Sequence, residues 1–139
     1  MPQPRLFLDT AYIYALFNTR DQWRSKALEW EKKLEAEKRL LVTTQLVLVE
    51  IGNGLSRQPF RQNAASIIRN LQDNPHVDVI PVTPNAFARA LELFEQRPDK
   101  NWGITDCFSF VIMQDNGLTD ALTTDDHFRQ AGFNALLLD

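Results

Sequence analysis

Four acidic positions stand out because each interrupts or ends an apolar stretch of the sequence. Asp9 follows LFL, Glu50 lies inside QLVLVEIGNG, and Asp106 opens DCFSFVIM. The fourth is one of the adjacent pair Asp125 and Asp126, which follows the stretch ALTT. A lone aspartate after a strand is often a helix N-cap, and a glutamate in a helix usually faces solvent. The apolar surroundings of Glu50 and Asp106 argue instead for a shared site.

Converging carboxylates repel one another and need a counter-charge. Two unit charges about 4 Å apart cost about 4 kcal/mol at an effective dielectric of about 20. No basic residue is interleaved with the four motifs, and only Lys100 lies in a loop near one of the acids. Oxygen ligands without a neighbouring His or Cys favour Mg²⁺ or Mn²⁺ over zinc. Such a cation activates water and neutralises charge on a phosphate, so the pattern indicates hydrolysis of a phosphodiester.

Short apolar stretches alternate with helical spacing along the whole chain, and these elements must position the four acids. Strands are predicted at residues 6–8, 40–44, 77–82, 121–123 and 135–138. Helices are predicted at residues 21–38, 45–55 and 62–73, from Pro84 with Thr83 as N-cap, at 106–114 with Thr105 as N-cap, and from Asp125. The alternation indicates an α/β fold, with a mainly parallel sheet of about four to five strands and helices on both faces.

In such a sheet, functional groups gather in the crevice beyond the carboxyl ends of the strands. Asp9 follows the first predicted strand, and the pair Asp125 and Asp126 follows the fourth. Glu50 lies in the helix after the second strand, and Asp106 lies in the first turn of a later helix. We therefore expect acids from distant parts of the sequence to converge at one edge of the sheet.

Four stretches together resemble the PIN domain family and, within it, the VapC-type toxins: LFLDTAYIYALF, VEIGNGL, GITDCFSFVIM and ALTTDDHFRQAGF. The resemblance covers nearly the whole chain. It implies a Rossmann-like, three-layer fold and an endoribonuclease that depends on Mg²⁺ or Mn²⁺. It also implies a homodimer and, for a toxin, a cognate antitoxin protein that blocks the site.

Matched by position, the resemblance assigns the catalytic and metal-binding acids to Asp9, Glu50, Asp106 and Asp125. Three of them would hold or position the metal, while Glu50 would ligate it or activate the attacking water. Thr10 matches the hydroxyl residue that commonly follows the first aspartate in the family. Asp126 takes a position where relatives vary and often carry a basic residue. A helix that starts here turns Asp126 about 100° from Asp125, so we expect Asp125 to face the cleft.

Two hydroxyl side chains lie close to the acids in sequence. Thr124 precedes Asp125, and Ser109 follows Asp106 by one helical turn, so each is a candidate to orient a metal-bound water or a carboxylate. Capping or core packing is an equally good interpretation of both. His127 is a candidate general acid, since its ordinary pKa is about 6.5. Its position in a short surface helix favours a solvated histidine instead.

Residues 56–70 contain Arg57, Arg61 and Arg69 but no acidic residue. In a chain with a net charge of −3, this stretch is the best candidate for a patch that contacts RNA phosphates or an antitoxin. A solvated helix is the alternative interpretation.

Composition sets outer limits on these interpretations. The 139 residues, 44% of them apolar, suit one domain that spans residues 1–139. The net charge of −3 provides no general basic field for nucleic acid, so local arginines or a cation would supply the attraction. The single cysteine, Cys107, forms no internal disulfide. Residues 1–9 have neither the apolar run nor the cleavage site expected of a signal peptide, and no run approaches 18 apolar residues. We expect a cytoplasmic protein that does not enter a membrane.

Two other functions fit parts of the pattern. A PIN-fold binding module would dock RNA or protein without turnover, although binding alone does not require all four acids. A phosphatase of the haloacid dehalogenase type also begins with an apolar strand and an aspartate. That family has a second aspartate two residues later, where this sequence has Ala11.

Overall fold

A sheet of five parallel strands forms the centre of the protein in the computed structural model, which describes residues 3–139. The strands are β1 (Leu6–Leu8), β2 (Leu41–Thr44), β3 (Val77–Ile80), β4 (Asp120–Leu122) and β5 (Asn134–Ala135). Their spatial order is β3-β2-β1-β4-β5, and every neighbouring pair is parallel. Met1 and Pro2, part of the segment in which the sequence predicts no signal peptide, lie outside the described residues.

Seven helices flank the sheet within residues 3–139, because parallel strands need crossover connections. They are α1 (Thr10–Phe17), α2 (Arg24–Glu37), α3 (Gln45–Gly54), α4 (Arg61–Asp73), α5 (Pro84–Gln96), α6 (Ile104–Asp115) and α7 (Asp126–Gln130). The predicted α/β, three-layer fold is confirmed. In this part of the chain, no helix has both the length and the apolar character that crossing a membrane requires.

The sequence predicts capping residues for α5 and α6, and the structure confirms one of them. The Thr83 hydroxyl caps α5 by accepting a hydrogen bond from the Ala86 N–H at 3.1 Å, with Pro84 in the first turn as predicted. The prediction of Thr105 as the cap of α6 is wrong, because the helix begins at Ile104 and its N-cap is Gly103. The Asp106 carboxylate provides the capping contact by accepting a hydrogen bond from the Gly103 N–H at 3.1 Å.

The last strand is shorter than predicted. Only Asn134 and Ala135 belong to β5, whereas the sequence predicts a strand over residues 135–138. The N–H of Leu138 turns back to the carbonyl of Ala135 at 3.0 Å, which closes a turn directly after the strand.

Packing of aromatic rings ties the helices to the central strand. All three residues of β1 are buried, as expected for a strand covered on both faces. Phe128 of α7 is fully buried and lies 6.0 Å from Phe7 of β1 and 5.0 Å from Phe110 of α6, measured between ring centroids. Its edge-to-face contact with Phe110 is a favourable aromatic geometry. The starts of α6 and α7 are therefore held close to the carboxyl end of β1.

The order in which the chain adds strands to the sheet reverses between β1 and β4, and we call this place the reversal point of the sheet. From β1 the chain proceeds to β2 and β3 on one side, and it then crosses over to β4 and β5 on the other. In register, Leu8 pairs with Leu122, and the N–H of Asp9 continues the ladder to the Leu122 carbonyl at 3.3 Å. Such a reversal opens a crevice at the carboxyl ends of the two strands.

Close contact between α1 and α3 depends on Gly54. The Tyr14 hydroxyl donates a hydrogen bond to the backbone carbonyl of Glu50 at 2.9 Å, joining the two helices. A Cβ added at Gly54 would lie 1.8 Å from the Tyr14 hydroxyl oxygen and 2.6 Å from the ring carbon that bears it. At Gly52, in the same helix, an added Cβ meets only the Ile68 methyl at an ordinary 3.5 Å.

We predict that Gly54→Ala lowers the free energy of unfolding by about 1 to 3 kcal/mol, because the tyrosine ring must move and its hydrogen bond breaks. Gly52→Ala is the matched control, and it should raise the free energy of unfolding by up to about 1 kcal/mol through helix propensity. Urea unfolding of both variants measures the contrast. Equal stability of the two variants would contradict this account of Gly54.

Candidate active site

A cleft of about 350 Å³ lies at the reversal point of the sheet, beyond the carboxyl ends of β1 and β4. All four of the sequence-predicted acids line it, although they come from distant parts of the chain. The full lining is Asp9, Thr10, Ala11, Tyr14, Glu50, Asn53, Asp106 and Asp125. No lysine or arginine is among these lining residues, and Lys100 instead lies 3.9 Å from the Asp99 carboxylate.

Asp9 is the most buried of the four acids, with 6% of its surface exposed. Its Oδ2 atom accepts a hydrogen bond from the Thr123 hydroxyl at 2.7 Å. Burial raises the pKa of Asp9 to about 7, because desolvation outweighs the opposing effect of the Thr123 hydrogen bond. The carboxylates of Asp106 and Glu50 add to the increase by repulsion.

Glu50 is held by the residue that follows Asp9. The Thr10 hydroxyl donates a hydrogen bond to Glu50 Oε1 at 2.6 Å, linking the start of α1 to the middle of α3. Burial raises the pKa of Glu50 despite this hydrogen bond, and the charges of Asp106 and Asp125 raise it further. Thr10 therefore positions the carboxylate, and Oε2 makes no hydrogen bond with the described residues.

Asp106 is fixed at the start of α6. The Gly103 N–H and the His127 imidazole both contact its Oδ2 atom, at 3.1 Å and 3.0 Å. Burial raises the pKa of Asp106, because its effect exceeds the lowering by the His127 and Gly103 contacts. The neighbouring Asp125 carboxylate raises the pKa of Asp106 as well.

The two aspartates of the doublet have separate environments. Asp125 is the N-cap of α7, and it lines the cleft while its Oδ1 accepts the His127 N–H at 2.9 Å. Asp126 is exposed and outside the lining, and its Oδ2 accepts a hydrogen bond from Gln130 Nε2 at 3.3 Å. Asp125 therefore combines the capping role with a place in the cleft.

His127 is not the solvated side chain that the sequence favours. Its side chain is 29% exposed, and Nδ1 lies 3.0 Å from Asp106 Oδ2 and 3.4 Å from Asp125 Oδ1. The assumption that no histidine lies near the acids is therefore wrong. Only folding reveals the contact, because α6 brings Asp106 from 21 residues away in the sequence.

The hydroxyl that orients Asp9 belongs to Thr123 rather than to Thr124. Thr123 follows Leu122, the register partner of Leu8, so it lies directly beside Asp9. Its oxygen also accepts the N–H of Asp125 at 3.0 Å. Thr124 does not line the cleft and makes no hydrogen bond to its carboxylates.

Ser109 lies in the core rather than in the cleft. It is 1% exposed, and its hydroxyl has no hydrogen-bond partner among the described residues. Its packing within α6 therefore does not orient any of the acids.

The three arginines of residues 56–70 are exposed and do not line the cleft. Arg61 donates a hydrogen bond to the Ser56 carbonyl at 3.1 Å. Arg57 and Arg61 follow the carboxyl end of α3, whose Glu50 and Asn53 do line the cleft.

Asn53 and Tyr14 line the cleft, but the sequence analysis did not include them among the candidate site residues. The helical spacing of Asn53 from Glu50 was the signal that could have identified Asn53.

The donor set of the cleft fits a divalent cation. Ligand atoms of Asp106, Asp125 and His127 all lie within 4.8 Å of one another. Asp9 and Glu50 line the same cleft. In addition to burial, repulsion from the neighbouring carboxylates raises the pKa of Asp9, Glu50 and Asp106. A divalent cation relieves this repulsion and suits carboxylate oxygens.

The raised pKa of Asp9 predicts how stability depends on pH when chelator is present. The folded protein keeps a proton on Asp9 up to pH about 7, whereas the unfolded chain releases it near the ordinary value of 3.8. Asp9 therefore lowers the free energy of unfolding by its full amount above pH 7. The loss of stability becomes smaller as the pH falls towards 3.8.

We predict that Asp9→Asn raises the free energy of unfolding by up to about 4 kcal/mol at pH 8, and by less than half of that at pH 5. Urea unfolding at the two pH values measures the difference. The exposed Asp126→Asn is the control, with little change at either pH. A parent and an Asp9→Asn variant of equal stability at pH 8 would contradict the burial argument.

Solved structures share this architecture. VapC20 from Mycobacterium tuberculosis, described as a sarcin–ricin loop cleaving toxin, has a TM-score of 0.79 and 28% identity, with 92% of this chain and 95% of that chain covered. FitAcB from Neisseria gonorrhoeae has a TM-score of 0.65 and 16% identity, with 94% of each chain covered. VapBC2 from Rickettsia felis, bound to a promoter DNA fragment, has a TM-score of 0.64 and 17% identity over 95% of this chain and 97% of that chain.

The last two likenesses concern the fold alone, because their sequence identities are low. No curated protein matches the chain in sequence. The family model of the PIN domain, however, matches residues 6–134, a span that includes strands β1 to β4, the start of β5 and all four acids of the cleft. The chain therefore belongs to the PIN domain family.

Proposed function

We propose that this protein is a metal-dependent endoribonuclease that hydrolyses RNA phosphodiester bonds, and that it is the toxin of a toxin–antitoxin pair. The observation that carries the proposal is the convergence of four acids on one cleft at the reversal point of the sheet. The likeness to VapC20, a sarcin–ricin loop cleaving toxin, supports RNA as the substrate.

Asp9, Asp106 and Asp125 would hold Mg²⁺ or Mn²⁺, with Glu50 beside them. When bound, the cation neutralises charge on the scissile phosphate and increases the acidity of the attacking water. Hydrogen bonds within the protein fix the orientation of two of these acids before a substrate binds. Thr123 holds Asp9, and the Gly103 N–H holds Asp106, so little reorganisation is needed.

Glu50 is the residue best placed to accept a proton from the attacking water. Thr10 anchors Oε1, which leaves Oε2 free to accept the proton. Burial raises the pKa of Glu50, and a carboxylate with a raised pKa is a better proton acceptor near neutral pH. Thr10 keeps the accepting group in one orientation throughout.

The surroundings of the cleft suggest where RNA and protein partners bind. We propose that the exposed side chains of Arg57, Arg61 and Arg69 contact RNA phosphates or the antitoxin. They belong to a stretch, residues 56–70, that contains no acidic residue and directly follows the carboxyl end of α3. Ser109 and Thr124 have no part in this scheme. We further propose that the protein acts as a homodimer in the cytoplasm, where its RNA substrate would be found.

Replacing an acid of the cleft should abolish cleavage. We predict that Asp9→Asn, Asp106→Asn and Asp125→Asn each reduce the rate of RNA cleavage in Mn²⁺ by at least about 100-fold. Asp126→Asn is the matched control for Asp125→Asn and should retain activity. The measurement is cleavage of a labelled RNA, with and without chelator.

Two results would contradict the proposed function. One is an Asp9→Asn protein that cleaves RNA as fast as the parent in Mn²⁺, with activity that also survives chelator. The other is a parent protein that binds RNA without cleaving it and shows no heat of Mn²⁺ binding in calorimetry. This second result would identify a PIN-fold binding module.

A further inference from the structure

We propose that Nδ1 of His127 is a ligand of the divalent cation, beside Asp106 and Asp125, and that this nitrogen makes the site prefer Mn²⁺ to Mg²⁺. The inference deepens the proposed function and rests on it. It assigns to His127 a role that is neither the solvated side chain nor the general acid considered from the sequence.

A compact group of donor atoms at the edge of the cleft joins two of its lining acids, Asp106 and Asp125, to His127, which does not itself line the cleft. Ligand atoms of Asp106, Asp125 and His127 lie within 4.8 Å of one another, and neither Asp9 nor Glu50 belongs to this group. Nδ1 is 3.0 Å from Asp106 Oδ2 and 3.4 Å from Asp125 Oδ1. Adjacent ligands about 2.1 Å from an octahedral ion lie about 3.0 Å apart, so these separations suit neighbouring positions on one cation.

The backbone and the core hold the imidazole in this place. The His127 N–H is bonded to Asp125 Oδ1 at 2.9 Å, so the cap of α7 fixes the histidine beside one of the acids. The next residue, Phe128, is fully buried against Phe7 and Phe110, and it anchors α7 to the sheet. A ligand on a rigid element loses little conformational entropy when a cation binds.

The other nitrogen of the ring is also suitably arranged. Nε2 of His127 makes no hydrogen bond with the described residues, so on cation binding it can carry the ring proton that Nδ1 would otherwise donate to Asp106. Nδ1 then presents its lone pair to the cation. Because Mg²⁺ binds mainly through oxygen, a nitrogen ligand contributes little to its affinity. Divalent transition ions accept both imidazole and carboxylate ligands, so the mixed set favours Mn²⁺.

The test detects nitrogen on the ion directly. Mn²⁺ bound to the full-length protein is examined by pulsed electron paramagnetic resonance, which detects magnetic coupling between Mn²⁺ and a ligand nitrogen. We expect coupling to ¹⁴N in the parent and its replacement by coupling to ¹⁵N after labelling with ¹⁵N-histidine. His76→Gln is the matched control: it removes the other of the two histidines, which is exposed, and should leave the coupling intact.

His127→Gln provides the affinity test. We expect loss of the nitrogen coupling and about a 10-fold weaker affinity for Mn²⁺, with the affinity for Mg²⁺, measured by competition, within about twofold of the parent. Labelled His76→Gln protein retains only His127, so it answers the same question if His127→Gln fails to fold.

Different failures have different meanings. Mn²⁺ binding without nitrogen coupling in the parent would overturn the role of His127 and leave the proposed ribonuclease intact. Equal weakening of Mn²⁺ and Mg²⁺ in His127→Gln would also overturn it, because a histidine that only orients Asp106 affects both ions alike. A parent that binds no Mn²⁺ at all would overturn the proposed function together with this inference.

Discussion

Parallel pairing of β1 with β4 is the contact on which the rest of the structure depends. It joins residues more than a hundred positions apart, with Leu8 opposite Leu122. One step beyond this pair, the buried carboxylate of Asp9 meets the hydroxyl of Thr123 at 2.7 Å. The order of the strands reverses at this point, so the crossover connections of β1 and β4 lead away from each other. The carboxyl ends of the two strands therefore stay uncovered, and a cleft remains.

Burial of the acids in the cleft destabilises the folded protein, and packing of the hydrophobic core offsets this loss of stability. Burial and mutual repulsion raise the pKa values of Asp9, Glu50 and Asp106, so their ionised forms are disfavoured in the folded protein. The aromatic contacts of Phe128 with Phe7 and Phe110 hold α6 and α7 against β1 in spite of this repulsion. Strain of this electrostatic kind is typical of sites that bind a charged ligand.

Short-range patterns predicted much of the architecture. The alternation of apolar stretches and helical spacing predicted the α/β fold, and the Thr83 and Pro84 pair predicted the start of α5. Thr105 was the wrong cap for α6, because a hydroxyl before an aspartate resembles a cap whether or not the helix has already begun. In the fold, Gly103 is the N-cap of α6, and the Asp106 carboxylate accepts a hydrogen bond from its N–H.

The sequence by itself determined which acids interrupt apolar surroundings, and hence where a site would be found, because burial of a carboxylate is visible in the types of its neighbours. Only the tertiary structure decided which side chains surround those acids. Register placed Thr123 beside Asp9 instead of Thr124, and the packing of α6 against α7 placed His127 beside Asp106. Contacts of this kind join distant segments, and no local pattern of residues encodes the distance between them.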